Sequence, residues 1–169
     1  ELQNQITNLI NKKDNPTNIT NIINNVNNTT NIVINNYGNE NLSYIGVDEL
    51  NKFVKNIPPG IMKLIEVIHF NPQHPENKNL RITNKKLPFI QIRKKNKWIL
   101  EDKHDIINNL LTDKYNILEE HYTNVSNSLL TDTDKRNIDR FRKNYANDNV
   151  KQMVKKIEML ILNNSSELE

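Results

Sequence analysis

The chain has 169 residues, enough for one ordinary domain or a small domain with an oligomerisation arm. Its net charge of +3 is compatible with nucleic acid but does not argue for it, and the lack of cysteine excludes disulfides and thiolate zinc sites. No apolar run approaches the roughly 20 residues that span a bilayer, and no signal peptide is visible.

Hydrophobic residues make up 36%, so part of the chain is expected to stay out of any core. Asparagine fills roughly a fifth of the positions and glycine only 3. Asn, Ile and Lys have AT-rich codons, so this bias reflects base composition as readily as mechanism. A start at Glu1 without Met and an end in Leu-Glu lead us to expect an excised fragment.

Residues 1–30 form an Asn-rich region. Leu2, Ile6 and Leu9 follow a 4-3 spacing, and after Pro16 the rhythm resumes with Ile19, Ile22 (or Ile23), Val26 and Val33. Asp14 or Asn15 would cap a second helix with Pro16 at its first position. Apolar seams of this period favour an oligomerising coiled coil, so Ile19, Ile22, Val26 and Val33 are the candidate self-association residues. Asn and Thr are poor helix formers, and the competing reading is a low-complexity linker.

The β-branched run from Asn31 to Tyr37 predicts a strand ended by Gly38. Val47, Leu50, Phe53 and Val54 then share one face of a helix, with Asp48 and Glu49 in its first turn. Pro58-Pro59-Gly60 is expected to stop it, and a second helix fits Ile61 to His69 around Leu64, Ile65 and Ile68. A loop rich in His, Pro and Asn follows. Residues 79–83, 88–93 and 97–100 alternate apolar and polar residues, which predicts an antiparallel meander, with the 31–37 run as an additional strand. Asp102 or Asp105 would cap a long helix holding Ile106, Leu110, Leu111, Ile117 and Leu118. Two more helices fit Asp132 to Asn144 and Asn147 to Leu162. The expected class is α+β: a helical arm, a small β-meander with flanking helices in 31–130, and a helical C-terminal segment in 131–169.

Several pieces share an order and spacing. They are Ile34-Asn35-Asn36-Tyr37-Gly38-Asn39-Glu40 with Leu42 and Tyr44, then Ile68-His69-Phe70-Asn71, then Pro75-Glu76-Asn77-Lys78-Asn79, and finally Trp98. In these the chain resembles an uncharacterised domain of nucleocytoplasmic large DNA virus proteins, the giant-virus and iridovirus group. That domain often follows a C2H2 zinc finger and an Asn-rich coiled coil. The resemblance covers somewhat over half of the chain. It implies a viral protein acting in the host cytoplasm, in a viral factory or in the virion, with a link to DNA. This chain lacks the zinc finger.

The candidate chemistry is thin. His69 followed by Asn77 is similar to the His-Asn-His nucleases, in which a His activates water and a metal steadies the phosphate. In such a nuclease a paired strand–loop–helix surrounds the site, whereas here a helix precedes and strands follow. The structural reading makes His69 a helix-end cap and has Asn71 and Asn77 hold the loop, alongside His74 and Glu76. The spacing of His69, His74 and Glu76 fits no strong zinc pattern, so no metal and no cofactor is expected. His104 and His121 are expected to be ordinary helix residues. Arg93, Lys94, Lys95 and Lys97 with Trp98 lie at a predicted hairpin turn, where cations reach phosphates and an indole stacks on a base. The competing reading is a solvated turn. Lys135, Arg136, Arg140, Arg142 and Lys143 alternate with acids and read as a salt-bridged helix face. No P-loop, GxSxG, HExxH or dinucleotide fingerprint occurs.

These readings converge on a non-enzymatic assembly module, possible partners being its own copies and DNA. A divergent nuclease and a purely structural virion component are the alternatives. The seam makes a direct prediction. Light scattering should give a multiple of the chain mass for the full sequence and a single chain mass for a version starting at Asn31; two monomers would make the arm a linker.

Overall fold

A computed structural model describes residues 32–124, 129–144 and 148–165. The seam residues Ile19, Ile22 and Val26 lie outside that range. Among the described residues, those from Val33 onward belong to one compact unit. The fold is α+β: the described residues form five α-helices and a three-stranded antiparallel sheet.

Helix α1 (Val47–Val54) begins with Asp48 and Glu49 in the turn where the helix dipole favours negative charge. Phe53 and Val54 are buried, but Val47, placed on the same face from sequence, is 66% exposed because it opens the first turn.

Helix α2 spans Ile57–His69 and therefore contains Pro58-Pro59-Gly60 instead of starting after it. The prolines occupy the first turn, where a missing backbone N–H costs nothing because that donor has no helical acceptor. Gly60 donates its N–H to Asn56 O at 2.9 Å, and a Cβ there would collide with the carbonyl of Phe53. The glycine is thus what lets α2 cross against the end of α1. Ile57, Ile61, Leu64, Ile65 and Ile68 form the fully buried stripe of α2.

A 3-10 turn at Pro75–Asn77 leads into β1 (Leu80–Arg81), β2 (Phe89–Lys94) and β3 (Lys97–Asp102), in spatial order β1-β2-β3. Of the predicted strand at 31–37, the described residues 32–37 are not in the sheet. Residues 32–36 carry no strand pairing, and their contacts are isolated: Asn35 N–H to Glu76 O and Tyr37 N–H to Arg93 O, each 2.7 Å. The β-branched run thus makes isolated backbone bonds in place of a ladder.

Asp102 Oδ1 accepts the N–H of Asp105 at 3.0 Å and so caps α3 (Lys103–Asn124). At α4 (Asp132–Asn144), Thr131 Oγ1 accepts Asp134 N–H and Asp134 Oδ2 accepts Thr131 N–H, a reciprocal cap that defines the helix start. Helix α5 spans Asp148–Ser165, and Ser165 Oγ accepts the N–H of Ile82 at 3.0 Å. Ile138 and Phe141 of α4 and Met153, Ile157 and Ile161 of α5 enter the same core as α2, α3 and the inner sheet face. Helices α4 and α5 therefore complete the core begun upstream.

Gly60→Ala should lower the unfolding free energy by about 1–3 kcal/mol, because the two helices must separate to admit a methyl group. Urea unfolding followed by circular dichroism checks this, and an unchanged midpoint would contradict it.

Candidate nucleic-acid interface

Segment 34–45 has no regular structure, so side chains must satisfy its backbone. Asn77, wholly buried, serves both backbone groups of Asn41 at the middle of the segment. Its Oδ1 accepts from Asn35 Nδ2 at 3.0 Å and from the backbone N–H of Asn41 at 2.9 Å. Its Nδ2 donates to Asn41 O at 2.7 Å and to Tyr44 Oη at 3.3 Å. All four bonding directions of the amide are used. Tyr44 Oη donates onward to Val67 O at 2.9 Å, and its ring stacks on His74 with centroids 3.4 Å apart. His74 Nδ1 lies 3.1 Å from Glu76 Oε1, and Asn71 Oδ1 accepts the N–H of Gln73 at 3.0 Å.

His69 ends α2 but does not cap it, contrary to the structural reading from sequence; the ring turns inward and is completely buried. Asn79, also fully buried, donates through Nδ2 to Glu40 Oε1 at 2.8 Å. Its Oδ1 must then face His69, so His69 Nδ1 carries the proton and donates, at 3.0 Å. His69 Nε2 and Tyr37 Oη are buried without a hydrogen-bond partner. Burial, reinforced by the Lys114 ammonium, pushes the His69 pKa down to about 4. Burial alone would raise the Glu40 carboxyl, but His69, Lys114 and the bonds from Asn79 and Gly38 outweigh it and hold the carboxyl below its ordinary value. Lys114 is itself lowered, by burial first, with Glu40 and Asp113 opposing. Sequence reasoning assigned no role to Lys114 and met Glu40 and Asn79 only within the pieces that carry the resemblance and, for Asn79, the nuclease pattern. Lys114 looked like any surface lysine of a helix, and no spacing linked it to Glu40.

Neither His69 nor Asn77 reaches solvent, so the two nuclease candidates are enclosed and already engaged. Among the described residues, no group of three His, Asp or Glu side chains is placed to hold a metal ion. His121 Nε2 pairs with Asn51 Oδ1 at 2.8 Å, and His104 lies against Asn108 on the exposed face of α3. Arg142 pairs with Glu119 of α3, lies 3.5 Å from Asp139 of its own helix and stands 4.5 Å from the centre of the Tyr122 ring.

The basic hairpin has a different character. Lys95 and Asn96 take positive φ values of 50° and 60°, the two-residue turn that matches strand twist. Asn36 Oδ1 accepts the Asn96 N–H at 3.0 Å, so the 34–45 segment also holds the turn. Lys94, Lys95 and Lys97 are exposed, and among the described residues only Lys94 has an acidic partner, Glu101 at 3.5 Å. Trp98 is half-buried on the outer sheet face. The Arg81 guanidinium lies 4.4 Å from the centre of its ring and that of Arg93 5.9 Å. The structure thus brings Arg93, Lys94, Lys95, Lys97 and Trp98 together and adds Arg81. Val33 stands apart at 76% exposed.

Compared with known proteins, the chain matches no family model, no curated protein and no solved structure.

The buried histidine makes a pH prediction. Unfolded, His69 takes up a proton near its ordinary value of 6.5; folded, it does so only near 4. The unfolded state therefore binds more protons in this window, and stability falls as pH drops through it, by on the order of 2–3 kcal/mol. Glu40, depressed in the fold, adds loss on the acid side. Thermal melts from pH 7 to 4 should show this decline, and His69→Gln should flatten it. An equal slope in both proteins would contradict the assignment.

Proposed function

We propose that this chain is a non-enzymatic accessory module that engages nucleic acid through the β2–β3 hairpin, with its copies gathered by the N-terminal arm. The observation that carries the reading is the hairpin itself. Three exposed lysines crowd a rigid two-residue turn, beside two arginines held over an indole. Like charges so placed repel one another, and a polyanion relieves that repulsion while releasing its own counterions.

The turn is also preorganised. Asn36 holds its tip, and Tyr37 N–H bonds to Arg93 O, so binding need not order it first. The enclosure of His69 and Asn77 supports a binding role over a nuclease. Several linked copies would raise the effective concentration of weak sites along one strand, which is the benefit an oligomerising arm would bring. A viral factory or virion, the setting the resemblance implies, belongs to the same proposal.

Replacing Arg93, Lys94, Lys95 and Lys97 together by Ala should weaken DNA binding at low salt by at least about tenfold and flatten the plot of log affinity against log salt. Fluorescence anisotropy over a salt series measures both. Unchanged affinity and slope would rule out this patch.

A further inference from the structure

The outer face of the sheet carries more than charge. The register pairs Arg81 with Gln91, Gln91 with Leu100 and Arg93 with Trp98. Side chains alternate along strands, so Phe89, Gln91 and Arg93 of β2 share one face with Trp98, Leu100 and Asp102 of β3 and Arg81 of β1. The opposite face holds Leu80, Ile90 and Ile92, all buried. On the outer face Phe89 is 45% and Leu100 62% exposed. Phe89 and Leu100 are diagonal neighbours across the β2–β3 pair, close enough to act as one apolar platform.

We infer that this face takes a single-stranded nucleic acid, with bases laid over Phe89, Leu100 and the Trp98–arginine stack. The inference rests on the nucleic-acid reading above and names the form of the ligand. Lysines alone would serve a duplex, whose accessible outside is phosphate and sugar. Exposed phenyl and leucyl groups gain nothing from phosphate; they gain from the flat faces of bases, which only an unpaired strand offers.

Charge supports the same occupant. Lys85 and Lys86 in the β1–β2 loop and Lys95 at the hairpin tip lie at the two ends of the platform, and all three are exposed, whereas Lys94 and Lys97 follow the alternation to the opposite face beside the turn. Asp102, opposite Phe89, is the acid of this face and spends one oxygen on capping α3, while Glu101 lies on the opposite face, 3.5 Å from Lys94, so the arginines and lysines leave the platform net positive. Arg81 is held by two contacts, its Nε donating to Gln91 Oε1 at 2.7 Å and its guanidinium lying over Trp98. That leaves the Gln91 amide nitrogen and the outer guanidinium edges as donors for base edges.

Trp98 is the sole tryptophan, so its emission reports on this face directly. The full chain would be titrated with oligodeoxythymidylate and with the same strand in duplex with its complement. The expected result is quenching of Trp98 and at least tenfold tighter binding of the single strand. Phe89→Ala and Leu100→Thr should each weaken single-strand binding about tenfold while leaving the salt slope unchanged. Circular dichroism confirms that both variants fold, and two independent positions guard against one local disturbance. Equal affinity for the two forms, or single-strand binding indifferent to both substitutions, would overturn the inference. If the lysine and arginine substitutions still weaken binding in that case, the backbone-binding reading stands alone. If neither form binds, both readings fall. Quenching by polyglutamate as strong as by oligodeoxythymidylate would also overturn it, in favour of an acidic protein partner.

Discussion

The side-chain amide of Asn77 has no hydrogen and no lone pair to spare. Two donors reach its oxygen and two acceptors face its nitrogen, all inside the protein. That matters because the segment it grips, 34–45, has no ladder of its own. A buried amide with every group satisfied adds stability, whereas one with a single orphan loses about 1–3 kcal/mol for it. The geometry is therefore restrictive. Aspartate would lose both donors and place a charge in the core; leucine would leave the Asn41 N–H and C=O without partners.

The lock reaches the exposed hairpin through short links. Asn79, two residues on, accepts the N–H of Arg93 at its backbone carbonyl and bonds His69 and Glu40 with its side chain. Tyr37 and Asn36, held beside Asn35, bond to Arg93 and Asn96. The turn carrying the lysines is thus fixed at its base and tip by the segment that Asn77 holds. A polar interior in this protein sets the shape of a cationic exterior, and that coupling is what joins the fold to the proposed function.

Much of the architecture was readable in the residues. The buried stripe of α2, the alternation in β2 and β3 and the capping aspartate before α3 are local patterns, and local patterns survive folding. The failures came where tertiary contact overrode local preference. Pro58-Pro59-Gly60 reads as a stop, yet it opens a helix because the prolines sit where no N–H is needed and the glycine admits Phe53. The run at 31–37 has strand residues but no neighbouring strand to pair with. The polar cluster was half visible. His69, Asn71, His74, Glu76 and Asn77 announced a structured loop, but Lys114 and Glu40 meet only in three dimensions, 74 positions apart (114 − 40). The hairpin cations were legible as a run, whereas Arg81 and the Phe89–Leu100 platform required the register.

The central claim is that one buried asparagine holds the 34–45 segment and, through it, the hairpin. Amide hydrogen exchange at Asn41 and Tyr37 tests it most directly. Both should exchange slowly in the intact chain, on the scale of core amides in α2, and Asn77→Ala should release them while α2 and α3 stay protected. Rapid exchange at Asn41 in the intact chain, or protection that survives the loss of Asn77, would contradict the account.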